Sequence, residues 1–471
     1  MTKTIIIRIG IILLIGSLIF GIGFGLFLWR FIPRIPAANF PTPTNQVEAR
    51  EQDLEYLLNL TSIDHSFSEE AEREFLFQVE ALGQELEDLS DAEFALRIAA
   101  AVALADNGHT NVRIASLADQ VNSLPLRFFW FEDGLYVVRT HAEFSDLIGA
   151  QVVAYDGIDP DALVPQLARY TGGKDVDARF YSPYFLSSPG LMHAAGLATN
   201  RNQVSLTLRS MNGETEEVTI EVEEKQTETL RAVRHPLARQ FEEEGESGNE
   251  WVFLDGEAVT QSHYGMRPGN DFWTDELPNG GYYVRMRWTF DNDETILSDW
   301  LAGISRELKD APADYLVIDL RSNPGGDYTK TRRFAQSVTE LVKPDGRIYT
   351  LTDHGTFSAA LVTTVLIKEG AGEQGQIVGS EVGDREQFWA EGGRAMTLPN
   401  SGIRISVSTG YHDWENGCRD WARCFWPNIL IGAAVGKLDP DIIAPVTFAD
   451  YAQGIDTTLQ AVFEAEDSVA R

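Results

Sequence analysis

Cysteine is scarce in this sequence: Cys418 and Cys424 are the only two among 471 residues. A structural zinc site normally has four protein ligands, and these two thiols have only His412 near them in sequence. The sequence therefore argues against a metal site, and we expect neither a metal nor another cofactor. If the surrounding domain faces an oxidising compartment, we expect the two cysteines to form a local disulfide in a loop rich in aromatic residues.

Basic residues are also in short supply. The chain has 38 lysines and arginines against 71 aspartates and glutamates, which gives a net charge of −33. A protein that binds nucleic acid needs a basic surface to neutralise phosphates. The composition therefore excludes a nucleic-acid partner, and the charge otherwise indicates only a soluble domain that repels polyanions.

An uninterrupted, uncharged apolar segment occupies residues 9–29, with basic residues on both sides of it. At about 1.5 Å per residue, a helix of this length crosses a bilayer core of about 30 Å. The segment is longer than the apolar core of a typical cleaved signal peptide, and residues 36–38 make a poor cleavage site. We predict an uncleaved signal anchor that crosses the membrane once and leaves the large domain outside the cytoplasm.

A chain of this length is expected to contain two or three substructures. Helical periodicity extends over residues 51–105, strand patterns dominate residues 126–222, and the following residues up to 250 are polar, charged and aperiodic. These changes predict a short basic tail at 1–8, a transmembrane helix at 9–29, a linker at 30–50, a helical subdomain at 51–122, a β module at 123–223, a flexible connection at 224–250 and an α/β domain at 251–471.

Residues 319–326, Asp-Leu-Arg-Ser-Asn-Pro-Gly-Gly, directly follow the apolar residues 315–318. A buried strand must leave its sheet sharply at such a sequence, because proline donates no backbone hydrogen bond and glycine adopts angles that other residues avoid. A helix predicted over residues 328–341 would add the positive end of its dipole. The turn is either purely structural or a place where free amides bind an anion.

A second strand and helix follow directly. Residues 348–351 are typical of a short strand, residues 353–355 of a break, and residues 358–367 of an apolar helix. Ser358 is therefore predicted at a helix start, where backbone amides lack intrahelical partners. A serine at this position is either a helix cap or a nucleophile.

In this order and spacing, the motifs resemble those of the C-terminal-processing (tail-specific) proteases and the related tricorn core proteases. The resemblance covers about residues 53–465. Its motifs are residues 108–110 (Gly-His-Thr), 156–157 (Asp-Gly), 319–326, 357–360 (Phe-Ser-Ala-Ala), 378–379 (Val-Gly), 440–442 (Pro-Asp-Ile), 450–451 (Asp-Tyr) and 454–456 (Gly-Ile-Asp).

The resemblance implies a serine peptidase of crotonase-like α/β fold with a PDZ-like module inserted at residues 123–223. It also implies that Ser358 is the nucleophile and that the amides of Gly326 and Ala359 bind the oxyanion. A PDZ-like module adds a peptide as an extra strand, although the alternative is a packing domain without a ligand.

The general base differs from that of the better-known branch, which uses a lysine some two dozen residues after the serine. No lysine lies between Lys368 and Lys437, and Arg385 cannot act as a base because a guanidinium stays protonated. The chain is therefore most similar to the tricorn-like branch, which uses a histidine before the PDZ-like insertion. His109 has that position, and His354, four residues before the serine, is the second candidate.

The carboxylate that would orient the histidine is predicted to be Glu415, because a Glu-Asn pair precedes the Pro-Asp-Ile motif in tricorn-like proteins. A long insertion separates this pair from Pro440 here, so Asp413, Glu381 and Asp106 are alternatives. We predict an endopeptidase for polypeptides. A binding protein without activity on the same fold, and a hydrolase of non-peptide esters or amides, are the competing hypotheses.

Overall fold

The computed structural model describes residues 2–222, 237, 251–254 and 271–469. Except for Leu237, the predicted flexible connection at 224–250 lies outside these residues. The fold is mixed α/β, as predicted, with two six-stranded sheets, a long hairpin and helices packed around them.

The N-terminal helix α1 covers Thr2–Phe31 and therefore includes residues 2–8 of the predicted tail and the whole apolar segment. Residues Leu14–Phe31 have a mean hydropathy of 1.8 and are almost entirely exposed on the protein surface. By length and composition, this helix is able to cross a membrane.

The helical region that follows packs into one core with the first sheet. Ser90 begins its longest buried helix with a capping box, in which Ser90 and Glu93 bond each other's backbone amides. Its helices are α2 (Gln46–Leu57), α3 (Leu60–Ile63), α4 (Glu69–Gly83), α5 (Asp91–Ala103) and α6 (Ile114–Val121).

The first sheet is antiparallel, with the order β1-β2-β3-β4-β5 and with β6 paired to β2. Three helices lie between β3 and β4 in the chain. The strands are β1 (Leu126–Phe131), β2 (Gly134–His141), β3 (Gln151–Tyr155), β4 (Gln203–Arg209), β5 (Thr215–Glu221) and β6 (Trp251–Phe253), and the helices are α7 (Pro160–Leu167), α8 (Asp175–Leu186) and α9 (Pro189–Ala194).

The second sheet has the order β14-β11-β10-β9-β8-β7, and every pair in it is parallel except β7 with β8. Every residue of β9 and β10 is buried, because helices cover both faces of the sheet. The strands are β7 (Phe272–Leu277), β8 (Gly281–Met286), β9 (Tyr315–Asp319), β10 (Ile348–Thr352), β11 (Gly375–Gly379) and β14 (Ile442–Ile443).

The helices of this domain are α10 (Leu297–Asp310), α11 (Arg332–Ala335), α12 (Ala359–Ala371), α13 (Trp426–Ile431), α14 (Phe448–Ala452) and α15 (Thr457–Val469). The continuous helix predicted over residues 328–341 is wrong. The structure has instead a 3₁₀ turn at Tyr328–Lys330, the single turn α11 and a second 3₁₀ turn at Val338–Glu340. Phe334 and Val338 are nevertheless buried, so the apolar pattern indicated burial without a regular helix.

The hairpin of β12 (Gln387–Thr397) and β13 (Arg404–Asp413) contacts both the helical core and the core of the second sheet. Its outer part joins the helical core, where Val112 pairs with Ile405 and the buried Asp64 carboxylate accepts from the Ser408 amide at 2.6 Å. Its inner part packs in the core of the second sheet through Phe388. The hairpin therefore holds the helical region against the carboxyl ends of the parallel strands.

Candidate active site

A buried ionic network fixes the end of β9, from which the glycine turn departs. Asp319 is fully buried and accepts from the hydroxyl of Tyr283 at 2.6 Å and from Arg321 Nε at 3.0 Å. Arg321 also donates from both terminal nitrogens to Asp456, at 2.7 and 2.8 Å. Burial by itself would raise the pKa of Asp319, but Arg285 and Arg321 beside it hold that pKa well below its usual range.

Asn323 shapes the turn itself. Its side chain accepts from the Gly325 amide at 2.9 Å and donates to Met286 O at 2.9 Å. Its backbone carbonyl accepts from the amide of Phe357 at 3.0 Å, which ties the first turn to the second. The two chain reversals therefore meet, as the sequence led us to expect.

Gly325 lies directly against Ser358. A Cβ atom placed on Gly325, where φ is +105°, would be 2.6 Å from Ser358 Cβ and 2.8 Å from the amide nitrogen of Ala359. Such distances are below any normal contact, so only glycine allows this approach. Ser358 is half-buried, so its hydroxyl is not sealed in the interior.

The backbone of Ser358 is in an uncommon conformation, with φ +55° and ψ −122°. The residue precedes the first residue of α12, yet its side chain makes no capping hydrogen bond to the helix. Strained backbone conformations cluster at functional sites, and here the strained serine does not cap the helix that it precedes. The geometry therefore favours the nucleophile over the cap.

The amides of Gly326 and Ala359, near this serine, have no hydrogen-bond acceptor within the described part of the chain. Gly326, with φ +146°, pairs with Thr289 and lies close to the phenyl ring of Phe290. Ala359 is the first residue of α12, so its amide also lies at the positive end of the helix dipole. Amides without an acceptor can bind an oxyanion when they point at the same place.

His109 lies beside Phe357, the residue before Ser358. Its imidazole stacks on the ring of Phe357 with centroids 4.5 Å apart, and on the ring of Phe388 at 4.9 Å. Its Nδ1 atom is 3.2 Å from Oδ2 of Asp384, at ion-pair distance although outside hydrogen-bond angles. Within the described residues, Nε2 has no partner, so it is the nitrogen left to exchange a proton.

Asp384 is held in place by its neighbours in the loop after β11. The Gly383 amide donates to Thr356 O at 3.0 Å, and Arg385 binds the Asp106 carboxylate with two hydrogen bonds of 2.9 Å. The Asp384 side chain is 2% exposed. A carboxylate fixed in this way can orient an imidazole and stabilise its cation.

Glu415 lies elsewhere. Its carboxylate is 3.2 Å from Lys437 Nζ, and in the described part of the chain no contact joins it to His109. The three alternatives also have other partners: Asp413 accepts from the Asn416 amide, Glu381 pairs with Lys174, and Asp106 pairs with Arg385. Asp384 is the carboxylate that the structure brings to the histidine.

His354 lies in the loop between β10 and Ser358. Its half-buried imidazole lines a cavity with Trp130, Arg179 and Asp353, between the first sheet and the end of β10. Burial lowers the pKa of His354, and Asp353 opposes this effect only in part. In contrast to His109, it has no ring contact with Phe357 among the described residues.

The described residues contain no cluster of three or more histidine, cysteine or acidic side chains arranged to bind a metal. Cys418 and Cys424 are bonded to each other, with Cα atoms 5.8 Å apart.

Two residues that contact His109 escaped the sequence analysis. Asp384 lies in the loop where the better-known branch has its lysine base, some two dozen residues after the serine. That position in the sequence is the signal that could have indicated it. Nothing in the sequence points to Phe388 as a ring that covers the imidazole, because the contact depends on how the hairpin packs.

Comparison with solved structures shows what this fold is similar to. The structure of mature CPAF complexed with lactacystin matches with a TM-score of 0.54 and 14% identity, over 90% of this chain and 98% of that chain. Mature CPAF in a second crystal structure gives the same TM-score and identity, over 90% and 97%. The photosystem II D1 C-terminal processing protease matches with a TM-score of 0.37 and 14% identity, over 89% and 97%.

No protein-family model and no curated protein matches the chain. The likeness to CPAF extends over nearly the whole of both chains and shows a common fold. At the level of the fold, the predicted resemblance to the C-terminal-processing proteases is therefore confirmed.

Proposed function

We propose that the chain is a membrane-anchored serine endopeptidase that cleaves polypeptides outside the cytoplasm through an acyl-enzyme. The observation that carries the proposal is the contact of Gly325 with Ser358, which joins an accessible hydroxyl to a turn with unused amides. The approach of His109 to Phe357, next to that serine, supports it further.

In the proposed reaction, Ser358 Oγ attacks the scissile carbonyl carbon while His109 Nε2 takes its proton. Asp384 stabilises the resulting imidazolium at Nδ1, and the amides of Gly326 and Ala359 bind the developing oxyanion. The C–N bond then breaks, and the imidazolium returns the proton to the leaving amine. Water, activated by the same histidine, releases the acyl group from the serine.

The proposal includes the finer architecture. Residues 251–471 form a crotonase-like catalytic domain, residues 123–223 a PDZ-like module, and residues 51–122 a helical subdomain. A histidine base is what the tricorn-like branch uses, and the proposal includes that branch. Helix α1 is a single-pass anchor, with the catalytic domain on the extracytoplasmic side, and its apolar, exposed surface supports that role.

Labelling with a fluorophosphonate tests the nucleophile. The full chain in detergent should be labelled, and Ser358→Ala should lose at least about 99% of the labelling, because the reagent needs an activated hydroxyl. Ser305→Ala is the matched control, since that half-buried hydroxyl only donates to Leu301 O within α10. Equal labelling of Ser358→Ala and the parent would show that the nucleophile is wrong.

The competing hypotheses predict different outcomes. A binding protein without activity would leave the parent chain unlabelled. A hydrolase of small esters would be labelled at Ser358 but would leave unfolded polypeptides intact over many turnovers of an ester substrate. Cleavage of a polypeptide that depends on Ser358 distinguishes the peptidase from both.

A further inference from the structure

The end of α1 is bound to the loop that the Cys418–Cys424 disulfide closes. Arg30 Nη2 donates to Ala422 O at 2.9 Å, and the hydroxyl of Thr409 donates to Phe31 O at 2.6 Å. The last turn of α1 is therefore tied both to the disulfide loop and to β13.

Aromatic rings extend this contact back along α1. The ring of Phe27 is 5.6 Å from that of Phe425 and 6.0 Å from that of Trp426, and Phe31 lies 5.1 and 5.6 Å from the same two rings. Phe27 belongs to the apolar segment 9–29. The start of α13 therefore lies alongside the part of α1 that is apolar enough to enter a bilayer.

Large apolar side chains remain exposed at this place. Trp421, in the disulfide loop, is 56% exposed, and Leu430, on α13, is 73% exposed. Trp421 is nevertheless fixed in position. Its backbone carbonyl accepts a hydrogen bond from Trp426 Nε1 at 2.9 Å, and the two rings are 6.0 Å apart. Exposed apolar residues on a rigid surface indicate an interaction site.

The depth of this surface in a membrane follows from its position along α1. Phe27 is two residues before the end of the apolar segment, which is about 3 Å along a helix axis. With the apolar segment in a bilayer core, Phe27 lies just inside the core boundary and Phe31 just outside it. Trp426 is 6.0 Å from the first ring and 5.6 Å from the second, so it lies at the boundary. Tryptophan prefers this interfacial region, where its ring is in apolar surroundings and its N–H is near polar groups.

We propose that the disulfide loop and α13 form a second membrane contact. Trp421, Trp426 and Leu430 would enter the headgroup region of the leaflet from which α1 emerges. The occupant is a lipid surface rather than a second copy of the chain, because the apolar surface is continuous with α1 itself. This inference rests on the anchoring role of α1 in the proposed function.

Quenching of tryptophan fluorescence by brominated phospholipids tests the proposal. The full chain is reconstituted into phosphatidylcholine vesicles with brominated or ordinary acyl chains, and the quenched share of the emission is compared. Trp421→Phe should lower this share by an amount comparable with Trp29→Phe, which removes a tryptophan of α1. Trp300→Phe is the matched control, because Trp300 packs against the second sheet's core, with its ring 5.5 Å from that of Phe272, and should leave the quenched share unchanged.

A second pair of variants separates insertion from incidental proximity. Leu430→Asp should move the loop out of the lipid and reduce quenching of Trp421 at least twofold, since a carboxylate is costly in an apolar environment. Phe77→Asp places the same charge on a 65% exposed apolar position of α4 and should have no effect.

The two tryptophan variants distinguish the second contact from the anchor. Loss of quenching in Trp29→Phe without loss in Trp421→Phe would overturn the second contact and leave the anchor intact. No loss in either variant would overturn both. Fluorophosphonate labelling of Ser358 in the same vesicles reports on the peptidase separately, so failure of that part is distinguishable.

Discussion

The phenyl ring of Phe388 lies face to face with the imidazole of His109, with centroids 4.9 Å apart and planes 11° from parallel. The same phenyl ring also stacks on His412 at 4.5 Å, and Phe357 stacks on His109 at 4.5 Å. The candidate base is therefore held by two aromatic rings as well as by Asp384. Stacking restricts rotation of an imidazole, and a base in fixed orientation needs no reorganisation when the proton moves.

Removing the ring of Phe388 should reduce activity by more than the accompanying loss of folding stability accounts for. An aromatic pair contributes about 0.5–1.5 kcal/mol, so Phe388→Leu should lower kcat/KM by a factor of about 2–10. Phe334→Leu is the control, since Phe334 is equally buried in the same core without touching the site. Peptidase assays and denaturant unfolding of both variants provide the measurements. Equal kcat/KM values would mean that the stack does not position the base.

The identity of the orienting carboxylate can be decided by two substitutions. Asp384→Asn should reduce kcat by about 10²–10⁴-fold, because an amide neither fixes the correct tautomer nor stabilises the imidazolium. Glu415→Gln should change kcat less than twofold, since Glu415 pairs with Lys437 at the surface. The reverse order of effects in a kcat measurement would restore Glu415 as the third residue.

Because the two turns lie so close together, a single methyl group added at Gly325 should disrupt the site. Gly325→Ala should abolish fluorophosphonate labelling, because the added carbon would meet both Ser358 and the Ala359 amide. Gly213→Ala has the same left-handed strain, with φ +89°, but no atom lies within 4 Å of the added carbon. Labelling rates of the two variants should therefore differ at least a hundredfold. Full labelling of Gly325→Ala would contradict the geometry of the site.

The ionic network below the turn should carry much of the local stability. Asp456→Asn leaves the fully buried guanidinium of Arg321 with one partner fewer, and we expect a loss of about 3–5 kcal/mol in the free energy of unfolding. Asp161→Asn breaks the exposed ion pair with Arg179 and should cost less than about 1 kcal/mol. Urea unfolding of the full chain in detergent measures both. Similar losses in the two variants would show that burial of the network is unimportant.

Stability should fall as the pH decreases from neutral, because of His412. Burial lowers the pKa of this imidazole, and Glu391 offsets the effect only in part; the pKa values of His354 and His65 are lowered by burial as well. Below the pH at which the unfolded histidines charge, about 6.5, the unfolded chain binds more protons than the folded one, so stability rises with pH there.

Each such proton adds about 1.4 kcal/mol per pH unit to the slope. Unfolding free energies measured between pH 7 and pH 5 should therefore depend less steeply on pH in His412→Phe than in the parent. An unchanged slope would mean that His412 takes up its proton equally in both states.

The local sequence predicted much of the secondary structure around the site. β1, β2, β3, β4 and β10 lie where alternating or continuous apolar residues indicated strands, and α12 begins directly after Ser358. These features depend on neighbouring residues, whose periodicity and glycine content limit the backbone directly. The region 328–341 shows the limit of such reasoning, because its apolar spacing fits helical turns that tertiary packing breaks into short pieces.

The sequence by itself determined the apolar α1, the turn at Gly325 and Gly326, and the helix start at Ser358, because each follows from the conformational preferences of adjacent residues. Only the tertiary structure decided that Asp384 rather than Glu415 contacts His109, that Phe388 covers this imidazole, and that the disulfide loop joins the end of α1. Those contacts link residues far apart in the chain. Their distances depend on how the hairpin and the loops pack together, which no local pattern encodes.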